Sequence, residues 1–439
     1  MKPHITLFRR TLMLGALLAT FSCGVAHAAP TLEGFASLPA ATFSEGPTSG
    51  QFVSGANGES MPLPNKQPVQ GFSAVLPGPL AGTFYVMSDN GFGNQTNSPD
   101  ALLRFYAVRP DFKQFNGRRI VGTGGVRAVD RDKGTPLPQA DGLFGLRSFV
   151  SLRDPDHKLG FPLVADGTYY PYSGSGVGNA TIPVARAIKA GRLLTGADLD
   201  IESMRQDKNG HYWFGEEFGP FLVKTDASGK VLRSEIPLPG VQAPQNPYLN
   251  GAAPNLGNSS GYEGMAINAA GDTLYALLEG TVSGDPAGSL RINEFDIDSE
   301  SYTGTRWMYK LDPGGTNIGD MTAVNAHQFI VIERNGTQEP RFKKLFLIDL
   351  DVVDPTTGYV QKTELVDLMN LPDPHDLNGD GSTVFTFPFV TIEDVLVLDP
   401  QTLLVMNDNN YPGSSKTAGV PDPNEFLRIR LDQPLDWQP

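Results

Sequence analysis

Residues 262–280 read YEGMAINAAGDTLYALLEG. An acid opens the stretch, a short apolar run follows, then a turn rich in Asn, Gly and Asp, a second apolar run, and a closing acid. Runs this short, bounded by turn residues, read as two strands of a hairpin rather than as a helix. The plan recurs four times: GFSAVLPGPLAGTFYVMSDNG (71–91), DIESMRQDKNGHYWFGEEFG (200–219), GDMTAVNAHQFIVIERNG (319–336) and IEDVLVLDPQTLLVMNDNN (392–410). A third strand follows each hairpin, as in LLRFYAV (102–108), INEFDIDSE (292–300) and EFLRIRLD (425–432). Three or four strands per unit, repeated along the chain, define an all-β protein of the β-propeller type.

Five units are visible, and six blades are expected. The sixth is sought in the poorly patterned stretch 122–197 or in a strand near 32–38, with five or seven blades as alternatives. One short helix is expected around VARAIKAGRLL (184–194). A single domain spanning 29–439, with 122–197 as an insertion, is the organisation this implies.

Paired residues of a tight antiparallel hairpin have numbers that sum to twice the turn centre. Glu263 with Glu279 centre on 271, Glu202 with Glu216 on 209, Asp320 with Glu333 on 326.5, and Glu393 with Asp408 on 400.5, each inside its turn. Two acids therefore face each other at the open end of four hairpins. The first unit brings Asp89 alone, with Gly71 or Ser73 where its partner belongs. Because the first strand of every blade lines the channel, these ends should gather on one face. Crowded carboxylates repel unless a cation sits among them, and calcium accepts six to eight oxygens at flexible geometry. The expected calcium ligands are Asp89, Glu202, Glu217, Glu263, Glu279, Asp320, Glu333, Glu393 and Asp408. Glu263 and Glu279 are the catalytic candidates, and Arg205, Lys224 and Arg334 are candidates for gripping an anionic substrate.

The chain opens with three basic residues (Lys2, Arg9, Arg10), an apolar run over 11–21 and the small-residue step AHA at 26–28. This reads as a secretory signal cleaved after Ala28, giving a periplasmic or extracellular protein. Cys23, the only cysteine, allows a lipid-anchor reading, but its TFS context is a poor match. Removing residues 1–28 leaves 31 Lys+Arg against 48 Asp+Glu, a net charge of −17. That balance argues against nucleic acid and anionic membrane surfaces as partners. No further apolar run reaches transmembrane length, so a soluble protein is expected; its oligomeric state is open, with a monomer favoured. Zinc is disfavoured, because four scattered histidines (His157, His211, His327, His375) and no thiolate remain.

Three further motifs stand out. DLNGDG (376–381) fits positions 1, 3, 5 and 6 of a calcium loop, but Phe387 stands where its closing Glu belongs. GNSSG (257–261) fits a nucleophile pattern on Ser259, though no strand-to-helix setting surrounds it. GSGVG (174–178) reads as a loop.

The segments SDNGFGNQTNSPDALLRFY, DLDIESMRQDKNGHYWFGEEFGPFLVKTD, SGYEGMAINAAGDTLYALLEG, IGDMTAVNAHQFIVIERNG and FPFVTIEDVLVLDPQTLLVMNDNNYP resemble the phytase-like family, "esterase-like activity of phytase", from about residue 71 to 431. The resemblance implies a propeller, export, and hydrolysis of phosphoric or carboxylic esters. A calcium-dependent phosphoric ester hydrolase is the leading expectation, acting on a small anionic ester that calcium itself can accompany. The alternatives are a carboxylester or lactone hydrolase on the same scaffold, and a non-catalytic binding propeller.

Overall fold

A computed structural model describes residues 1, 29–138, 142–171 and 181–438. The signal segment with Cys23 and the GSGVG loop fall outside the described residues. Five sheets carry the architecture. Blade 1 runs Phe72–Pro77, Phe84–Ser88, Arg104–Pro110 and Phe149–Ser151, and Val126–Ala128 also pairs with its third strand. Blade 2 is Ile201–Gln206, Tyr212–Glu216, Phe221–Thr225 and Ile236–Pro237. Blade 3 is Tyr262–Ile267, Thr273–Leu278, Ser289–Asp296 and Ser301–Lys310. Blade 4 is Asn317–Ala323, Gln328–Arg334, Lys343–Val353 and Val360–Asp367. Blade 5 joins Asp394–Asp399, Thr402–Met406 and Asn424–Arg430 to Thr31–Leu38 from the other end of the chain.

The packing explains both the sequence pattern and the ring. Inner strands are buried on both faces, as in Tyr212–Glu216 and Thr402–Met406, so they read as continuous apolar runs. The outermost strand of blade 3, Ser301–Lys310, faces water along most of its length and carries Thr, Arg and Lys. Alternate side chains of each blade enter two different cores. Met87 and Phe105 of blade 1 meet Ile201 and Phe214 of blade 2. Trp213 and Leu222 meet Met265 and Leu274 of blade 3. Leu277 and Ile292 meet Phe329 and Val331 of blade 4. Ile330 and Ile332 meet Val395 and Val405 of blade 5. Leu404 and Met406 return to Val75 and Val86 of blade 1. Five sheets share five cores in cyclic order.

Among the described residues five sheets have four or more strands, where six blades were expected with five or seven as alternatives. The stretch 122–197 builds no blade among the described residues. Its strands add to blade 1, Leu152, Leu159 and Leu163 seal the core between blades 1 and 2, and the expected helix is a short one, Arg186–Gly191. The amino-terminal strand supplies the missing outer strand of blade 5 rather than starting a blade of its own.

The hairpin arithmetic needs correction. In blades 1 to 4 the first strand carries a register shift near its open end, between Phe72/Ala74, Ile201/Ser203, Tyr262/Gly264 and Ile318/Met321. Blade 5 keeps the feature, since both Asp394 and the amide of Glu393 pair with Met406. A bulge leaves one residue unpaired and turns its side chain off the regular alternation. The unpaired residue is Ser73, Glu202, Glu263 or Glu393, at the same level in four blades. The other end of the channel is covered by the carboxyl-terminal segment, where the Gln438 amide donates to Val324 O and Leu435 to Pro400 O.

Candidate metal centre

The bulge and the residue just past the second strand aim at the axis together. Glu202 and Glu217 come from blade 2, Glu263 and Glu279 from blade 3, Glu393 and Asp408 from blade 5, and Asp89 from blade 1. The backbone fixes each pair: the amides of Asp89, Glu217 and Glu279 donate to the carbonyls of Gly71, Asp200 and Gly261, at 2.8, 2.9 and 2.8 Å. Gly71 adopts φ +61°, and a Cβ there would lie 2.4 Å from Asp89 Oδ1, so only glycine leaves room for that carboxylate. Asp89 is half-buried and the other acids are buried, with Glu217 only 3% exposed.

Blade 4 breaks the pattern. Its residue just past the paired Glu333 is Arg334, and Gly319 takes the bulge position, so this blade presents a cation instead of two acids. Arg334 Nη2 donates to Glu263 Oε1 at 2.9 Å, Glu279 Oε1 at 3.2 Å and Glu393 Oε1 at 2.9 Å. Burial works against its charge, but the three carboxylates outweigh that and hold the guanidinium protonated.

Two calcium candidates lie elsewhere. Asp320 sits one residue deeper in the channel, where its Oδ1 accepts from Arg205 Nη2 at 2.9 Å and its Oδ2 from the Val395 amide. Glu333 points out of the ring, to Tyr309 OH at 2.6 Å and Lys362 Nζ at 2.6 Å. The bulge explains both, because it moves the first strand by one residue against the second. Glu216, used in the hairpin arithmetic, is likewise spent on the amides of Phe218, Gly219 and Phe221. Of the three basic candidates only Arg334 reaches the ring. Arg205 is taken by Asp320, and Lys224 bonds Glu300 at 2.7 Å on the flank of Trp213.

The sequence reading omitted Asp200. It is 2% exposed, its Oδ1 has no hydrogen-bond partner, and one of its oxygens lies with oxygens of Glu202 and Glu217 inside a span of 4.8 Å. Glu217, Glu263 and Glu279 form a second such group. Asp394, beside Glu393, is also buried with neither oxygen hydrogen-bonded.

Burial, and then mutual repulsion, push these acids towards protonation. Burial raises Asp89, Glu202, Glu217 and Glu263 well above the usual carboxylate range, and neighbouring acids add to it. Asp200 is pushed up to about 6, Glu279 to about 7 against the pull of Arg334, and Asp408 to about 7. A set of oxygens this crowded, with an orphaned buried oxygen and a single guanidinium among them, fits a hard divalent cation. Thiolate and imidazole are absent from it.

A cavity of about 330 Å³ opens beside the ring between blades 1 and 5. Asp89 is the ring acid on its wall, with Gln70, Asn97 and Asn410 as amides and Phe92 and Tyr411 as rings. No lysine or arginine lines it among the described residues. Ser259, by contrast, precedes a strand, and its Oγ meets only the amide of Asn258 at 3.4 Å, with no histidine bonded to it. In DLNGDG both Asp376 oxygens accept from the Gly381 amide and Asn378 bonds Asp380, so the loop satisfies its own turn.

An all-β protein with a ring of acids at one end of its sheets is the class that fold and site define. Residues 67–411 match the family described as "Phytase-like: Esterase-like activity of phytase", and the chain belongs to that family. An uncharacterized secreted protein of Arthroderma benhamiae is 26% identical over 146 residues, which cover 29% of this chain and 26% of that protein. The chain thus matches about a quarter of that relative's length. Similar solved structures include a luciferin-regenerating enzyme (11% identity, 82% of this chain and 92% of that one, TM-score 0.35). An exo-β-1,3-galactanase from Phanerochaete chrysosporium (9%, 91% and 64%, 0.36) is another. A third is the PQQ-bound aldose sugar dehydrogenase of Streptomyces coelicolor (10%, 92% and 100%, 0.32). Likenesses this distant leave the chemistry to the residues themselves. No helix among the described residues is long and apolar enough to cross a membrane.

Proposed function

We propose that this is an exported, calcium-dependent ester hydrolase, with phosphoric esters as its preferred substrates. The observation that carries the reading is the charge balance of the ring. Asp89, Asp200, Glu202, Glu217, Glu263, Glu279, Glu393 and Asp408 surround Arg334, and that guanidinium already serves three of them. Among the described residues the nearby Lys343 is spent on the carbonyls of Asn335 and Val390, so attraction for the oxygens of an anionic ester would come from a bound metal. Asp200, Glu202, Glu217, Glu263 and Glu279 are the residues that would hold it. A divalent cation there supplies Lewis acidity, polarising the ester oxygen and lowering the pKa of a water.

The protein's own groups do the rest. Arg334 fixes one oxygen each of Glu263, Glu279 and Glu393, and Ser73 Oγ donates to the other oxygen of Glu393 at 3.1 Å. Glu263 and Glu279, read from the sequence as catalytic, serve here as ligands. Asp89 stands between the ring and the cavity, and would take the proton of the attacking water. Burial, and after it the neighbours Asp408 and Asp200, raise its affinity for a proton. The cavity's amides and aromatic rings suit the uncharged, hydroxyl-bearing part of the ester. Export is supported by the amino-terminal pattern and by the secreted relative.

The test is a panel of aryl phosphates and aryl carboxylates, assayed in calcium and in chelator. Calcium-dependent release from the phosphates supports the reading. Release from carboxylates alone points to the carboxylester or lactone alternative, and no release at all points to a binding propeller.

A further inference from the structure

We propose that the ring holds a pair of divalent cations, with Glu217 as the ligand they share. The inference deepens the metal-dependent reading above. Two groups of three carboxylates each bring one oxygen per residue within 4.8 Å of the others: Asp200, Glu202 and Glu217 in one, Glu217, Glu263 and Glu279 in the other. Glu217 belongs to both. It lies between them because blade 2 supplies the first group and blade 3 the rest of the second. The backbone pins it there, as its amide donates to Asp200 O at 2.9 Å and its Oε1 accepts from the Gly261 amide at 3.0 Å.

Two further observations point to ligands on each side. In the first group, Asp200 Oδ1 is buried without any partner, although its residue is only 2% exposed. A carboxylate oxygen in that state costs several kcal/mol unless a cation or a proton meets it. In the second group, Arg334 draws one oxygen of Glu263 and one of Glu279 to a single nitrogen. One carboxylate oxygen of each lies within 4.8 Å of an oxygen of Glu217. Charge favours two ions over one. With Arg334 counted, the five carboxylates and the guanidinium carry −4 when ionised, so one divalent cation leaves −2 and two leave none. A shared carboxylate between two hard cations is the arrangement that clamps both the attacking and the leaving oxygen of a phosphoester.

The experiment counts ions rather than activity. Metal-stripped full-length protein is titrated with calcium by calorimetry, and the sites are located by anomalous scattering from manganese-soaked crystals. Wild type should bind two ions per chain in the ring. Asp200→Asn should lose one, and Glu279→Gln should lose the other. Glu217→Gln keeps its bond to Gly261 and should weaken both by at least tenfold. Should Glu217→Gln fail to fold, the Asp200→Asn, Glu279→Gln double variant still decides, since it must lose both ions. One ion per wild-type chain overturns the pair, as do two ions located outside the ring. So does a Glu217→Gln variant that loses only one. Hydrolysis with a single ion would sink the pair and leave the hydrolase reading standing. Two ions without hydrolysis would do the reverse.

Discussion

Replacing Arg334 with methionine keeps an unbranched side chain of similar reach and removes the one positive charge inside the ring. In the folded protein Glu263, Glu279 and Glu393 each lose a charged hydrogen bond of 2.9 to 3.2 Å. Removing one partner from a buried ion cluster costs about 3–5 kcal/mol, because the remaining charges stay buried and unpaired. With roughly 2 cal/mol/K of unfolding entropy per residue, ~4 kcal/mol in a chain of about 400 residues lowers Tm by ~5 °C. The size of the loss should depend on pH. Glu279, pushed up to about 7, is ionised at pH 8 beside the wild-type guanidinium, and the variant leaves that charge buried without its partner. At pH 5 it holds a proton and the difference should shrink to ~1–2 °C. Melting would be followed by calorimetry in chelator, at one scan rate, since large exported proteins often unfold irreversibly. Calcium at pH 8 should recover much of the loss. An equal fall in Tm at both pH values would refute the reasoning, because it would mean that lost packing and not unpaired charge sets the cost.

Chelated wild-type protein should become less stable as pH rises from about 4 to 7. Glu279 and Asp408 have folded pKa values pushed up to about 7, so the folded state holds protons that the unfolded state has released. Their stability contribution is therefore largest below the unfolded pKa and is lost as pH climbs to the folded one, by about 3 kcal/mol for such a group. Saturating calcium should flatten the profile, and a Tm that ignores both pH and calcium would count against an ion in the ring. Glu263→Gln should lower phosphatase turnover by orders of magnitude, with partial recovery in excess calcium; unchanged turnover in a less stable protein would assign Glu263 a structural role only. Ser259→Ala should leave ester hydrolysis unchanged, and loss of a metal-independent carboxylesterase activity in that variant would sink the calcium mechanism.

The repeat was legible in the sequence because a hairpin is a local object. Two apolar runs, a Gly- or Asn-bearing turn and an acid at the open end lie within some twenty residues, so strand pairing, the shared face of Asp89 and Asp408 and most ring acids could be read directly. Part of what was misread also lay in view. The steps SDN, ERN and MNDN align Arg334 with Asp89 and Asp408, and FS, IE, YE, IG and IE align Gly319 with the bulged acids. Counting symmetrically from the turn hid this, because a one-residue bulge in the first strand shifts the pairing without marking the composition. That shift is what sends Asp320 down to Arg205 and Glu333 outward to Lys362. Other features belong to the tertiary structure alone. The place of the amino-terminal strand depends on Thr31–Leu38 finding Asn424–Arg430 at the opposite end of the chain, a pairing between residues nearly 400 positions apart. Asp200 lies before its strand and looks like any turn acid until folding buries it beside Glu202 and Glu217 with one oxygen lacking a partner. Sequence determined which residues could carry charge to the axis; only the packing of blade against blade decided which of them arrive there desolvated and close enough to share an ion.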